Sequence, residues 1–283
     1  MTRLAFCFLA AALARGQQFE AVSVKPVAPG GEQRIAGGPG TSSPGQIVYL
    51  GQSLRTLVFL AYRLQFYQLT TPAWMDQANF DVVAKVPPGA TPNDLRVMLQ
   101  NLLAERFALK VHRESRAAAG YVLRPGKGGL RLKASPPLSP DADTGFPSRF
   151  DVDKDGFLVL PPGVANMITF PTGSGISRTT GGRQSMAALC TWLGRQLQQP
   201  VQDETGLAGL YDFRLAFATD SVTPLGRPRF NDAATGTDEL RASDPAPTLP
   251  QAVEAQLGLK LELRNLPVDY LVIDHIERKP IEN

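Results

Sequence analysis

Two short stretches of the sequence have the same form: NFDVVAKV at residues 79–86 and LYDFRLAF at residues 210–217. In each, an aromatic residue stands directly before an aspartate, and apolar and other side chains alternate after it, which is typical of a strand with one buried face. A helix-like segment that begins with QS precedes each stretch, at Ser53 and at Ser185. The two stretches therefore indicate an internal repeat.

The spacing of corresponding residues supports this repeat. The matched separations are Ser53 to Asp81 (28 positions), Ser185 to Asp212 (27), Lys110 to Tyr121 (11) and Lys260 to Tyr270 (10). The one large difference lies between the aspartate and the following lysine, and it predicts an insertion in the second copy at residues 218–247. The alternative is that similar phrases occur by chance in any protein that mixes helices and strands.

Each copy contains two segments with helical periodicity. Ser53 and Ser185 stand where an N-cap hydroxyl accepts a bond from a free backbone N–H, and apolar residues follow them at steps of three and four. Thr91, with a proline next to it and Asp94 three positions on, predicts a second helix with a capping box. Thr248 opens its shorter counterpart in the second copy.

These elements predict an α+β fold of two related small units, each with helices packed on one face of a mostly antiparallel sheet in a βαββαβ-like order. The expected organisation is a signal peptide at 1–16, a first unit at 17–135, a linker at 136–150 and a second unit at 151–283 that carries the flexible insertion at 218–247.

The first residues have the plan of a secretory signal peptide. Arg3 supplies the positive charge, an apolar run extends from Leu4 to Leu13, and Ala12 and Ala14 form an A-x-A arrangement. The run is about half of the ~20 residues that span a bilayer, and no later segment is long and apolar enough to do so. We therefore expect a secreted or periplasmic protein after cleavage, with no membrane span in the mature chain.

Charge and cysteine content exclude some classes of function. The formal net charge is +3, without a Lys/Arg cluster interleaved with aromatic residues, so nucleic acid is not an expected partner. After removal of the leader, Cys190 is the one remaining cysteine, so no internal disulfide is expected. It lies in a helix-like segment, where a lone cysteine is typically a small buried apolar residue.

The sharpest chemical motif is DVDKDG at residues 151–156. Asp151, Asp153 and Asp155 stand at alternate positions before a glycine, as in the first half of a calcium loop. The second half fails, because Pro162 occupies the position where an acidic ligand is expected. The alternative is a hairpin turn, which we favour. The expected cofactor is therefore none, with weak calcium binding at these three aspartates as the candidate metal site.

Conventional catalytic motifs are missing from the sequence. It has two histidines, no G-x-S-x-G elbow and no H-E-x-x-H or C-x-x-C pattern, so no catalytic residue is assigned. His112 is expected to pair with Glu114, two residues along the same strand face. An enzyme is therefore the less favoured class.

The phrases FEAVSVKP, PAWMDQANFDVVAKV, LLAERFALKVHRE, DKDGFLVLPPG and TGLAGLYDFRLAF resemble those of a secreted, soil-associated bacterial family known as domain of unknown function 3738. In that family, similar domains are sometimes attached to a membrane metallopeptidase of the antibiotic-sensor type, which implies sensing or partner binding. A more distant resemblance of pattern links SMAALCTWLGRQLQQPVQD, together with TLPQAVEAQLGLKLE, to the short N-terminal module of secretins and TonB-dependent receptors, which serves protein contacts in the periplasm.

From these observations we expect a non-catalytic binding module of the cell envelope or secretome, whose partner is an envelope protein or a cell-wall component. Small sheets leave edge strands, and an exposed edge is a template for an extended partner segment. The alternative is a carboxylate-dependent hydrolase that acts on envelope glycans. Such an enzyme requires two acids ~5 to 10 Å apart in a deep cleft.

Overall fold

The computed structural model describes residues 18–28, 30–139, 145, 147, 149–172, 175–218 and 246–281. The expected signal peptide at 1–16 lies outside these residues, as does the expected insertion apart from residues 218, 246 and 247. Among the described helices, none is both long and apolar enough to cross a membrane.

The described chain alternates strands and helices, which confirms the predicted α+β class. The strands are β1 (Ala21–Val27), β2 (Arg34–Gly37), β3 (Gln46–Ser53), β4 (Asn79–Lys85), β5 (Lys110–Pro125), β6 (Lys133–Ala134), β7 (Asp151–Val152), β8 (Leu158–Val159), β9 (Asn166–Pro171), β10 (Ile176–Gln184), β11 (Val201–Asp203), β12 (Tyr211–Ala218) and β13 (Leu259–His275). The helices are α1 (Leu54–Tyr62), α2 (Pro92–Phe107), α3 (Met186–Leu197) and α4 (Leu249–Ala252), and α4 continues into a π-helical turn, Val253–Leu257.

The chain forms two compact units. The first consists of the residues up to Arg116 together with those from Asp269 onward, and the second extends from Ala117 to Val268. These bounds differ from the expected division at 17–135 and 151–283. The reason is that β5 and β13 each continue through a unit boundary as one uninterrupted strand, so no turn or change in composition marks the boundary in the sequence.

The first unit is built on an antiparallel sheet with the strand order β1-β4-β3-β2. Its core joins one face of that sheet to α1 and α2, because the apolar residues of β3 and β4 alternate while those of the helices recur at steps of three and four. The largest fully buried side chains of this core are Ile47, Leu54, Leu57, Met75, Met98, Leu103 and Phe107.

The second unit contains an antiparallel sheet with the order β6-β12-β10-β9. Phe213, Leu215 and Phe217 of β12 are buried against α3 and α4. A three-stranded sheet has the order β11-β5-β13, and a hairpin is formed by β7 and β8. Helices thus cover one face of each four-stranded sheet, as the sequence predicted.

The two four-stranded sheets correspond in strand order and in local geometry. A register shift interrupts β3 opposite β4 between Tyr49 and Gln52, and β10 opposite β12 between Gly181 and Gln184. At the first shift, Asp81 Oδ1 accepts a hydrogen bond of 2.8 Å from the backbone N–H of Gly51. At the second shift, Asp212 Oδ1 likewise accepts a hydrogen bond of 2.8 Å from the backbone N–H of Arg183.

The predicted helix caps are present. Ser53 accepts from the backbone N–H of Thr56, and Ser185 accepts from that of Ala188. Thr91 and Thr248 each form a capping box with the residue three positions on. Because these hydrogen bonds are local, the spacing of polar residues in the sequence was sufficient to predict them.

One matched pair in the sequence shifts by a residue in the structure. Val201 pairs in parallel with Tyr121 in the second unit, and Leu69 forms a parallel bridge with Leu271 in the first. Leu69 and Val201 each follow their capping serine by 16 positions. The counterpart of Tyr121 is therefore Leu271, not Tyr270, and the one-position difference in the sequence comparison came from matching the two tyrosines.

Candidate functional site

A cleft of about 520 Å³ lies within the second unit. Such a volume is in the range of small-molecule and peptide sites. Its lining residues combine apolar, cationic and small side chains: Arg131, Lys133, Leu158, Val159, Leu160, Pro161, Pro162, Val164, Thr180, Gly181, Gly182, Asp212, Phe213, Arg214, Gln256 and Leu257.

Much of the cleft lies on the sheet face that points away from α3 and α4, and Gln256 and Leu257, which follow α4, line its edge. Phe213 faces the helices, and side chains alternate along a strand, so Asp212 and Arg214 face the other side. Thr180 lies directly opposite Arg214 in the adjacent strand and therefore shares that face. The segment 158–164 forms a wall above this floor, with Leu158 and Val164 buried.

Gly182 allows the wall to approach the floor. A Cβ atom at this position would lie 2.9 Å from the carbonyl oxygen of Val164 and 3.1 Å from a methyl carbon of Leu160. A larger residue would displace the wall, so glycine here is a condition for the observed width of the cleft.

Thr180 places an unpaired polar atom in the cleft. Its side chain is 7% exposed, and its hydroxyl oxygen has no hydrogen-bond partner in the described structure. A buried hydroxyl without a partner lowers stability by about 1–3 kcal/mol relative to a satisfied one. The oxygen itself is shielded from solvent, so a ligand can satisfy it only if neighbouring side chains shift.

The charge of the lining is mainly positive. Arg131, Lys133 and Arg214 contribute three cations, whereas Asp212 is the only carboxylate among the described residues that line the cleft. The Oδ1 atom of Asp212 already accepts a hydrogen bond of 2.6 Å from Ser135, in addition to the bond from the backbone at the register shift. The cleft thus favours an anionic ligand and holds its own carboxylate in a structural role.

The three cations differ in whether they already have a hydrogen-bond or ion-pair partner within the described residues. Arg214 forms an ion pair of 2.5 Å with Asp153 and lies over the ring of Phe157. Arg131 donates to the carbonyl oxygen of Ala255. Within the described residues, the ammonium of Lys133 makes no ion pair or hydrogen bond, and it remains exposed. It is the cation most available to a ligand.

The outer edge of β12 is open at one residue in the cleft. Along this edge, β6 pairs with Tyr211 and Asp212, and the side-chain amide of Gln256 bonds both the N–H and the C=O of Ala216, at 2.9 and 2.8 Å. Main-chain groups of an antiparallel strand point to the same edge at every second residue. Those of Arg214 therefore point to this edge between β6 and Gln256, where no strand of the described chain pairs with them.

The predicted calcium candidates lie in the turn between β7 and β8. Asp153 Oδ1 accepts from the backbone N–H groups of Asp155 and Phe157, each at 2.9 Å, and its other oxygen meets Arg214. Burial opposes ionisation of Asp153, but the two backbone hydrogen bonds and the charge of Arg214 outweigh it and hold its pKa below the ordinary value. Asp151 and Asp155 are exposed.

The geometry of this turn is that of a hairpin, with Gly156 at a φ of 78°. Across the part of the chain that the structure describes, no group of three or more His, Cys, Asp or Glu side chains is arranged to hold a metal ion. Calcium binding by Asp151, Asp153 and Asp155 remains a prediction.

The two histidines have carboxylate partners outside the cleft. His112 Nδ1 lies 2.8 Å from Asp274 Oδ1, whereas Glu114 pairs with Arg116. The expected pair of His112 with Glu114 is therefore wrong, because a residue of β13, distant in sequence, lies closer than the neighbour along β5.

The cysteine is part of the core. Cys190 is 5% exposed and packs in the apolar cluster around α3. Burial, together with the charge of Asp203, raises the pKa of the Cys190 thiol to about 12. A thiol in this environment is neutral at physiological pH and is a poor nucleophile.

Few features of the sequence predicted this cleft. Arg131 and Lys133 precede the region expected to be a linker. The wall at 158–164 follows the aspartate motif that was interpreted as a candidate calcium site. The available signal was the glycine pair at positions 181 and 182, because glycine inside a strand often marks a close approach of another backbone.

The chain belongs to the family described as Protein of unknown function (DUF3738), whose model matches residues 55–276. No curated protein matches the chain. No solved structure matches it either.

Proposed function

We propose that the protein is an exported, non-catalytic binding module of the cell envelope or secretome, and that it holds an envelope protein or a cell-wall component in the cleft of the second unit. The observation that carries this proposal is the combination of an uncommitted lysine and a buried, unpaired threonine hydroxyl in one cleft. Groups without an internal partner are the ones that a ligand can satisfy.

Export is supported by the N-terminal sequence. Arg3, the apolar run to Leu13 and the small residues Ala12 and Ala14 match a cleavable leader. The resemblance to secreted, soil-associated proteins points the same way. Sequencing the N-terminus of the mature protein from the periplasm or medium of its host tests this: a start near residues 15–19 is expected, and an intact Met1 on cytoplasmic protein would contradict it.

The alternative, a glycan hydrolase that uses two carboxylates, has less support in this cleft. Asp212 is the only lining carboxylate among the described residues, and its Oδ1 already accepts two hydrogen bonds. A general acid or nucleophile needs an oxygen free to meet the glycosidic bond, with a second acid at a fixed distance.

The experiment is crosslinking of the exported protein in its own cell envelope, followed by affinity capture. Lys133→Glu reverses the uncommitted charge in the cleft and should abolish capture. Lys25→Glu is the matched control, because Lys25 lies opposite Asp81 in the first sheet as Lys133 lies opposite Asp212 in the second. Equal capture by wild type and by Lys133→Glu would refute the role of the cleft, and multiple turnover of a recovered glycan would favour the hydrolase.

We also propose that the two units are related copies. The support is the shared strand order, the equivalent register shifts and the aspartate that accepts from a backbone N–H at each shift. When the two register shifts are matched, Lys25 occupies the position equivalent to Lys133, and Val48 the position equivalent to Thr180. If the units are copies, substitutions at equivalent structural residues, such as Asp81→Ala and Asp212→Ala, will have similar effects on stability.

We propose that the aspartate turn is structural. Asp153 already uses both carboxylate oxygens, one for backbone N–H groups and the other for Arg214. Calcium titration by calorimetry should therefore show no binding tighter than the ~10⁻⁴ to 10⁻³ M of weak extracellular modules. A micromolar site that is lost on Asp153→Ala would overturn this view.

A further inference from the structure

We propose that the ligand of the cleft is a short, extended peptide segment that carries a side-chain carboxylate. In this arrangement one residue of the segment pairs its N–H and C=O with the main chain of Arg214, and the carboxylate meets Lys133 and Arg131. The inference rests on the proposed binding function and names the chemical class of the partner.

The open main-chain position selects a peptide over a simple anion. Arg214 presents both an N–H donor and a C=O acceptor to the gap, and Gln256 shows at Ala216 that one carboxamide satisfies such a pair. An ionised free carboxylate accepts hydrogen bonds but has no donor for the carbonyl oxygen. One residue of an extended peptide presents both its N–H and its C=O to the same edge, as in recognition by strand addition.

The first sheet shows what fills the equivalent position. There β1 continues along β4, and Ser23 lies opposite Val83. Counting from the register shift, Val83 is the counterpart of Arg214. In the second sheet β6 begins only at Lys133 and does not reach the position opposite Arg214. Arg131, two residues before it, instead donates its backbone N–H to the carbonyl oxygen of Leu257. The gap is therefore a place in the ladder that the chain's own described residues leave to another segment.

Charge and shape restrict the segment further. Lys133 is directly opposite Asp212 and next to the gap, so a carboxylate beside the paired residue of the ligand gains a cation without displacing an existing ion pair. The wall of Leu160, Pro161 and Pro162 offers apolar surface to a neighbouring side chain. Thr180 supplies a hydroxyl on the same sheet face as Arg214.

The test uses four probes with the full mature chain: N-acetyl-Leu-Glu-Leu amide, its Gln analogue, the Glu peptide with an ester in place of the Glu N–H, and glutarate. Backbone amide NMR reports both affinity and position. The Glu peptide should bind saturably, shift the Arg214 amide signal and slow its hydrogen exchange. The Gln analogue and the ester should each bind about 3- to 10-fold more weakly, since each loses one polar interaction.

Protein variants separate the roles of the groups. Lys133→Gln should weaken the Glu peptide about 3- to 10-fold and leave the Gln analogue unchanged, because only the former carries the charge. Lys25→Gln, the matched change in the first unit, should alter neither. Thr180→Val should weaken binding without loss of stability, because the variant removes a hydroxyl that has no partner in the free protein.

Each failure has a distinct meaning. Equal binding of glutarate and the Glu peptide would show an anion site and overturn the peptide proposal, as would an unchanged Arg214 amide or equal affinity for the Gln analogue. Absence of saturable binding by every probe, with envelope capture still dependent on Lys133, would overturn this inference and leave the binding function standing. Peptide binding with capture independent of Lys133 would instead remove the support for the proposed function.

Discussion

In the two four-stranded sheets, the residue pair next to the register shift combines a large and a small residue, but the large residue comes from the opposite strand in each sheet. In the first, Tyr49 supplies the large side chain and Val82 the small one; in the second, Phe213 is large and Gly181 has no side chain. A Cβ at Gly181 would lie 2.5 Å from the ring of Phe213. The backbone frame is shared, and the volume that fills it is divided differently between the two strands.

The opposite faces of these sheets differ more. The first sheet has Val48 half-buried where the second has Thr180 at 7% exposure. The connections between the corresponding strands also differ in length. Residues 28–33 join β1 to β2, whereas residues 135–165 join β6 to β9 and include the wall of the cleft. The longer connection of the second sheet supplies the wall of the cleft, and the short connection of the first sheet has no counterpart to it.

The largest expected effect comes from removing the large member of each cross-strand pair. Tyr49→Ala and Phe213→Ala should each lower the free energy of unfolding by about 3–5 kcal/mol, since each leaves a cavity in a closed core. Val82→Ala should lower it by about 2 kcal/mol, because two methyl groups are lost. Urea denaturation measures all three. A larger loss for Val82→Ala than for Tyr49→Ala would show that the two pairs are not equivalent.

The next effect concerns the aspartates at the register shifts. Asp81→Ala and Asp212→Ala should each cost about 1.5–3 kcal/mol, since each removes a charged acceptor for a backbone N–H. Asp212→Ala should be the more costly, because Ser135 also donates to that carboxylate. In a Ser135→Ala background the two losses should converge, as judged by thermal and urea unfolding. Persistent divergence would locate the difference elsewhere.

A smaller effect is expected at the helix caps. Ser53→Ala and Ser185→Ala should each cost about 1 kcal/mol, because each leaves one backbone N–H at a helix start without its acceptor. The corresponding glycine variants should cost only a few tenths of that amount, since water then reaches the N–H. Equal alanine and glycine losses, measured by urea unfolding, would mean that the serine hydroxyls do not act as caps.

The smallest effect is a pH dependence confined to the second unit. The pKa of Asp153 is below its ordinary value in the folded protein, so its contribution to stability is present above about pH 4 and is lost as the pH falls toward the folded-state pKa. Asp153→Asn should therefore flatten the stability profile below about pH 4. Asp155→Asn, in the same turn, is the control. Identical profiles for wild type and Asp153→Asn would contradict the prediction.

Local features were predictable from the sequence, and long-range features were not. The caps at Ser53, Ser185 and Thr91 and the alternation of β12 depend on residues within a few positions of each other. The partner of His112 is 162 positions away, and sequence proximity pointed to Glu114 instead. The expected division of the chain rests on local composition, whereas β5 and β13 each contribute residues to both compact units.

The sequence by itself determined the α+β class, the helix starts and the strands that carry the two aspartates, since hydrophobic periodicity and capping act over single turns and single strands. Tertiary structure decided the cleft. Lys133, Thr180 and Arg214 come together only through strand pairing, and the wall at 158–164 reaches them only because Gly182 has no side chain. Register and close packing depend on contacts between distant residues, which a single sequence does not encode position by position.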